Sequence, residues 1–425
     1  MIRSVGTTVR GIRTPVIREG DDLINIVAES LAEAQLKEGF TLNDMDVVGV
    51  TEAVVARAQG NYATVDAICA DVRKKMRSDE FSVVFPILSR NRFAVCLKGI
   101  AKAARKINLV LSYPADEVGN HLFDEGLLYE KGVNPWSDEI SLERYRELFG
   151  YPVHAVTGME YVSFYKKIIE DYGAGCEVIL CNDVDKIVNK CGHILLCRIH
   201  ERDRIKKRFY DAGAHSVLML TDILNAKNPA NPAAHGEGYN ELYGLLGSNT
   251  STDERVKLFP RDCLAFTTGL QKRLVEMTGA QLEVLIYGDG AFKDPVSKIW
   301  ELADPVVSPA YSAGLEGMPN EVKLKYLADS AYTSLSGDQL TEAIRQKIGD
   351  ETDKDDDERE PTLSLGTTPR RYVDLLGSLC DLTSGSGDKG TPVVLIQGYF
   401  DNYAVDTSSS QSSARIKSVK NKKAG

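Results

Sequence analysis

Between Ile107 and Tyr243 the chain alternates short apolar runs with amphipathic ones, and few folds accept that rhythm. Ile107 to Ser112, Glu177 to Cys181, Ile194 to Ile199 and Ser216 to Leu220 read as buried-type strands, whereas Gly158 to Asp171 and Glu201 to Tyr210 space their apolar residues as helices do. Strands and helices in that order predict a three-layer α/β arrangement with substantial parallel pairing. No Gly-x-Gly-x-x-Gly or Gly-x-x-x-x-Gly-Lys-Ser/Thr follows any of these strands, so neither a Rossmann-type cofactor site nor a Walker site is supported.

On either side of this block the elements are mixed. Asp21 to Lys37 places Leu23, Ile26, Val27, Leu31 and Ala34 at near-helical spacing. Gly20, Asp21 and Asp22 stand at its start and admit two readings: a turn with capping aspartates, or backbone N–H groups and carboxylates that hold a phosphate or its metal. Val47 to Val55 and Val83 to Leu88 read as strands, and Phe93 to Ala104 as a helix. The connector before that helix carries Arg90 and Arg92, where a strand's C-terminal end often presents side chains to a site; arginine pairs bidentately with phosphate or carboxylate. Further on, Leu270 to Thr278 reads as a helix, Leu282 to Ile286 as a strand, Tyr372 to Leu382 as a helix and Val393 to Gln397 as a strand. The acidic stretch Gly349 to Pro361 reads as a solvated loop.

Composition narrows the function. A net charge of −10 over 425 residues argues against nonspecific nucleic-acid binding, which needs a basic face to displace counterions. No run of 18 apolar residues is present, which points to a soluble, cytoplasmic protein. The eight cysteines are dispersed through apolar segments, as reduced core thiols are. Cys176, Cys181, Cys191 and Cys197, with His193 and His200, lack paired Cys-x-x-Cys spacing, and the core reading is preferred to zinc.

Two stretches together carry a family resemblance. Pro15-Val16-Ile17-Arg18-Glu19-Gly20-Asp21-Asp22-Leu23 precedes a helix, the Asp-led strand Asp46 to Thr51, and Ala56-Arg57-Ala58-Gln59-Gly60. Gly244-Leu245-Leu246-Gly247-Ser248-Asn249 and Leu258-Phe259-Pro260 come before a helix, Gly279, a strand and Tyr287-Gly288-Asp289-Gly290; Ser384 to Pro392 and a Val-rich strand close the order. This order resembles the coenzyme F-420:L-glutamate ligase family, whose members join glutamate to a phosphate-bearing deazaflavin using GTP and divalent metal.

The resemblance implies a mixed α+β, F-420 gamma-glutamyl ligase-like fold interrupted by an inserted α/β domain. Its parts would be 1–106 and 244–406, with the insert at 107–243 and a disordered tail at 407–425. It implies Mg or Mn bound by Asp289, Asp294 and Asn249, with GTP near Gly20, Asp21, Asp22, Ser386, Gly387 and Lys389. Lys293 and Lys298 would hold phosphate, and Arg90 and Arg92 a substrate anion. An acceptor carboxylate, L-glutamate and nucleotide are the implied partners, and a homodimer the implied assembly. Two positions depart from the family pattern: a metal-binding aspartate aligns with Leu246, and a second with Gly288, one residue before Asp289. A non-catalytic relative of the same fold and a phosphotransferase built on the Asp289 loop are the competing readings.

Overall fold

The computed structural model describes residues 5–155, 157–225, 238–288, 292–293, 300–301, 308–318, 320–321, 323–352, 365–366, 371–385, 387 and 389–401. Strands up to Tyr287 are β1 (Thr8–Ile12), β2 (Val47–Thr51), β3 (Tyr62–Thr64), β4 (Glu80–Val84), β5 (Lys106–Leu111) and β6 (Ile140–Ser141), then β7 (Gly175–Leu180), β8 (His193–Leu196), β9 (Ser216–Met219), β10 (Asn249–Thr252), β11 (Arg255–Lys257) and β12 (Glu283–Tyr287). Four helices position the site: α1 (Leu23–Glu38), α2 (Glu52–Ala58), α3 (Val65–Lys75) and α4 (Phe93–Ala103).

The first sheet has the order β1, Val393–Gln397, β2, β12, Ala310–Tyr311. β2 and β12 run parallel, with Val47 opposite Glu283 and Thr51 opposite Tyr287, while Val393–Gln397 is antiparallel to both β1 and β2. Every residue of the three central strands is buried. Alternation with period two divides them between two cores. Val48, Val50, Val284 and Ile286 pack with Val27 and Leu31 of α1 and with Leu270 and Leu274 of the helix Cys263–Thr278. Val47, Leu285 and Tyr287 pack on the other face with Leu376 and Cys380 of the helix Tyr372–Ser384. Gly49 allows that approach, since a Cβ there would lie 2.4 Å from the Cys380 sulfur.

The second sheet has the order β6-β7-β5-β4-β8-β9. β7, β5, β4, β8 and β9 are parallel, and β6 is antiparallel at the edge. Ile107, Leu109, Leu195 and Cys197 belong to the core shared with α3 and α4; Val84, Val110, Ile194 and Leu196 belong to that on the opposite face. A three-stranded antiparallel sheet, β10-β11-β3, stands beside these two.

Several expected boundaries move. β2 ends at Thr51 rather than Val55, because Thr51 is the N-cap of α2 and Val54 and Val55 are helical. The strand expected at Val83 to Leu88 is β4, which Phe85, in the left-handed region at φ 55°, and Pro86 terminate. β4 thereby pairs with β5 and β8, so the second sheet begins before residue 107. The segment expected to be a loop from Gly349 starts inside the helix Gly337–Thr352; residues 353–361 and the tail 407–425 lie outside the described residues. All eight cysteines are free thiols, Cys181 and Cys197 buried among them. Among the described residues no helix is long and apolar enough to cross a membrane.

Candidate functional site

The C-terminal ends of the parallel neighbours β2 and β12 gather Gly387 and Lys389 of the residues predicted near the nucleotide. Thr51, 2% exposed, ends β2 opposite Tyr287. Its N–H donates to the Pro392 carbonyl at 3.0 Å, which draws the loop after the helix Tyr372–Ser384 over this edge. The Tyr287 hydroxyl donates to the buried Ser384 Oγ at 2.7 Å, fixing the root of the same loop. Gly387 adopts φ 86° close to Thr51, where a Cβ would meet the threonine methyl at 3.5 Å and the left-handed backbone would be strained. Lys389 is exposed on this loop. Gly288 then carries the chain out of β12 at the same edge, immediately before Asp289.

A half-buried ion pair lies next to Thr51. Glu52 opens α2, and its two carboxylate oxygens accept from Lys257 Nζ at 2.8 and 2.6 Å. The side chains are only 13% and 14% exposed. Lys257 pairs in register with Asn249 across the β10–β11 ladder, so the strand carrying the predicted amide ligand runs beside the ion pair. Asn249 Oδ1 accepts the Thr250 N–H at 2.9 Å. Thr250 N–H also reaches the Asn91 carbonyl at 2.8 Å, which fastens the Arg90–Arg92 connector to β10.

That connector is firmly held. The Tyr165 hydroxyl accepts the Ser89 N–H at 2.8 Å and donates to the Ile87 carbonyl at 2.7 Å. Asp116 accepts the Leu88 N–H at 2.8 Å, and Ser89 Oγ accepts the Arg92 N–H at 3.1 Å. Arg90 is exposed, whereas Arg92 is half-buried and lines a cleft together with Leu246.

Other predicted residues sit elsewhere. Gly20 donates to the carbonyl of Ala58, the last residue of α2, roughly 10 Å along that helix from Glu52. Asp21 accepts the Arg18 N–H at 2.6 Å, and Asp22 caps α1 through the Asn25 N–H at 3.2 Å. Both carboxylates thus have local partners, Asp21 in the turn before α1 and Asp22 as the cap of α1. Asp289, Asp294, Lys298 and Ser386, and the side chain of Lys293, lie outside the described residues.

The described oxygen donors at this edge make an incomplete cation site. Asn249 offers one amide oxygen, the Glu52 carboxylate is engaged by Lys257, and Leu246 is 1% exposed in an apolar core. Among the described residues no three His, Cys, Asp or Glu side chains form a metal-binding group. A divalent ion held here would depend on Asp289.

Sequence reasoning missed Thr51, Glu52, Lys257 and Tyr287. Glu52 and Lys257 are brought together only by β11 pairing with β3, and local pattern carries no signal for that. A search of curated proteins finds none that matches the chain. The family described as F-420-0:gamma-glutamyl ligase matches residues 11–398, spanning both sheets and every element of the β2–β12 edge. The chain therefore belongs to the F-420-0:gamma-glutamyl ligase family.

Proposed function

We propose that this protein is an amide-bond-forming ligase that adds L-glutamate to a carboxylate acceptor of the F-420 precursor type, using GTP and Mg or Mn. The observation that carries the reading is the convergence of the Gly387 loop, the Asn249 strand and the Glu52–Lys257 pair where β12 delivers the chain to Asp289. The acceptor carboxylate attacks the γ-phosphorus of GTP, breaking its bond to the β-phosphate oxygen and giving an acyl phosphate and GDP. The neutral amine of glutamate then attacks the acyl carbon. A C–N bond forms, the C–O bond to phosphate breaks, and the amine's proton passes to solvent.

Such a reaction needs positioning and charge neutralisation rather than a side-chain nucleophile. Asp289, Asp294 and Asn249 would hold the metal, which would neutralise charge developing on the phosphates. Lys389, Lys293 and Lys298 supply positive charge to phosphate, and Gly387, with no side chain, leaves room for it beside Thr51. Arg90 and Arg92 receive an anionic group of the acceptor. The turn bond of Asp21 and the capping bond of Asp22 favour a structural role for the Gly20 turn over nucleotide contact. A cytoplasmic homodimer, with the β4 to β9 sheet as the added α/β unit, completes the proposal.

One observation favours a non-catalytic relative: Leu246, where the resemblance puts a metal carboxylate, is buried among apolar side chains. Calorimetry of GTP with Mg or Mn separates the two. Wild type should bind GTP only with metal, and Asp289→Ala with Asp294→Ala should lose at least about tenfold in affinity, as removal of charged phosphate-site partners does. Absence of metal-dependent binding in wild type would leave the fold without the reaction.

A further inference from the structure

Thr51 and Tyr287 are register partners at the ends of β2 and β12, and each grips one end of the loop between the helix Tyr372–Ser384 and the strand Val393–Gln397. Thr51 takes the far end, its N–H donating to the Pro392 carbonyl at 3.0 Å. Tyr287 takes the near end, its hydroxyl donating to Ser384 Oγ at 2.7 Å. The first grip is made by backbone atoms, and any residue but proline can supply its donor. The second depends on one side-chain oxygen at each partner.

Packing alone does not ask for the Tyr287 hydroxyl. The ring is buried in the core with Val47, Leu285, Leu376 and Cys380, and it lies against Gly49, where a Cβ would come within 3.3 Å of it. A phenylalanine would fill the same space. A hydroxyl buried there costs stability unless it is hydrogen-bonded, and its bond goes to a serine that is itself fully buried. Ser384 in turn organises the loop. Its Oγ accepts the Gly387 N–H at 3.3 Å, and its carbonyl accepts the N–H groups of Gly387 at 3.2 Å and of Lys389 at 3.5 Å. The last side chain of β12 therefore bears, through one serine, on Gly387 and Lys389, the described loop residues that the ligase reading gives to phosphate.

We propose that the Tyr287 hydroxyl is a positioning group for GTP: it fixes Ser384, and through Ser384 it holds Gly387 and Lys389 in the arrangement that receives the nucleotide's phosphates. The proposal rests on the ligase reading and adds to it a buried side chain that touches neither metal nor substrate. Order that the fold supplies to a loop in advance is order that binding need not impose, so its loss appears as weaker affinity.

The test is calorimetry of GTP with Mn on Tyr287→Phe, Ser384→Ala and the double variant. Each single variant should weaken binding by about three- to tenfold, the range that one hydrogen bond spans. The double variant should bind no more weakly than Ser384→Ala alone, because both changes remove the same bond. Val47→Ala hollows the same core at the opposite end of β2; it should lower the urea midpoint and leave GTP affinity unchanged. Without nucleotide, the Gly387 and Lys389 amides should exchange hydrogen faster in Tyr287→Phe than in wild type. Undiminished GTP affinity or unchanged exchange in Tyr287→Phe, or losses that add in the double variant, would overturn the proposal and leave the ligase reading standing. Wild type that binds no GTP would overturn both.

Discussion

Replacing Lys257 with Met is expected to destabilise the protein by about 1–3 kcal/mol, because the Glu52 carboxylate, 13% exposed, loses both ammonium hydrogen bonds. In the native fold Glu52 receives two ammonium hydrogen bonds, at 2.8 and 2.6 Å, from a strand about 200 residues later in the chain. Neither group reaches water well, so loss of one partner raises the desolvation cost that the other carries. The double variant Lys257→Met with Glu52→Gln should recover most of the loss, since no buried charge is then left over. Urea unfolding of the two single variants and the double variant measures this coupling as a cycle. Equal losses in Lys257→Met and in the double variant would mean that the pair is solvated and contributes little.

The second large effect is expected at Asp116. Its carboxylate, in a residue 8% exposed, accepts four donors: the N–H groups of Leu88, Val118 and Asn120, and the Asn120 side-chain amide. Burial pushes its proton affinity up, and these bonds oppose that shift. Asp116→Ala removes every acceptor at once, and with an unsatisfied buried donor costing about 1–3 kcal/mol the variant should lose at least about 3 kcal/mol. The loss is also local. Leu88 belongs to the connector that holds Arg90 and Arg92 against β10, so hydrogen exchange at 85–92 should accelerate well beyond that of the β2–β12 core. Asp116→Asn, which keeps one carbonyl acceptor, should fall between. Unchanged exchange at 85–92 would show that Tyr165 and the Asn91 bond hold the connector without Asp116.

Much of this architecture was legible because local pattern and burial coincide. Val393–Gln397 is a strand at the expected residues, since its five apolar or buried positions sit between a glycine-rich loop and Gly398. The apolar runs after Ile107 became parallel strands for the reason their sequence suggested: helices cover both faces. Pattern failed where tertiary context overrode propensity. Val54 and Val55 are β-branched yet helical, because Val55 packs into the first core from a helix that begins directly after Thr51. The start of the second sheet was misplaced because nothing local in Glu80–Val84 tells that it pairs with β5 and β8 rather than with the first sheet.

The site was legible only in pieces. Motif order singles out Asn249 and Gly387; the fold sets Asn249 opposite Lys257 in the β10–β11 ladder and Gly387 against Thr51. The aspartates after Gly20 were ambiguous in sequence, and hydrogen bonding ties Asp21 into the turn and makes Asp22 the cap of α1. Glu52 and Lys257 were invisible because an ion pair across so long a separation is made by sheet pairing alone.

The most direct measurement of the central claim is the mass of the acceptor after incubation with the protein, GTP, Mn and L-glutamate, using an F-420 precursor that ends in a carboxylate. The account predicts an acceptor heavier by one glutamyl residue, with GDP and phosphate released in equal amount, dependent on glutamate and lost in Asp289→Ala. GTP hydrolysis that proceeds without glutamate and leaves the acceptor mass unchanged would contradict it.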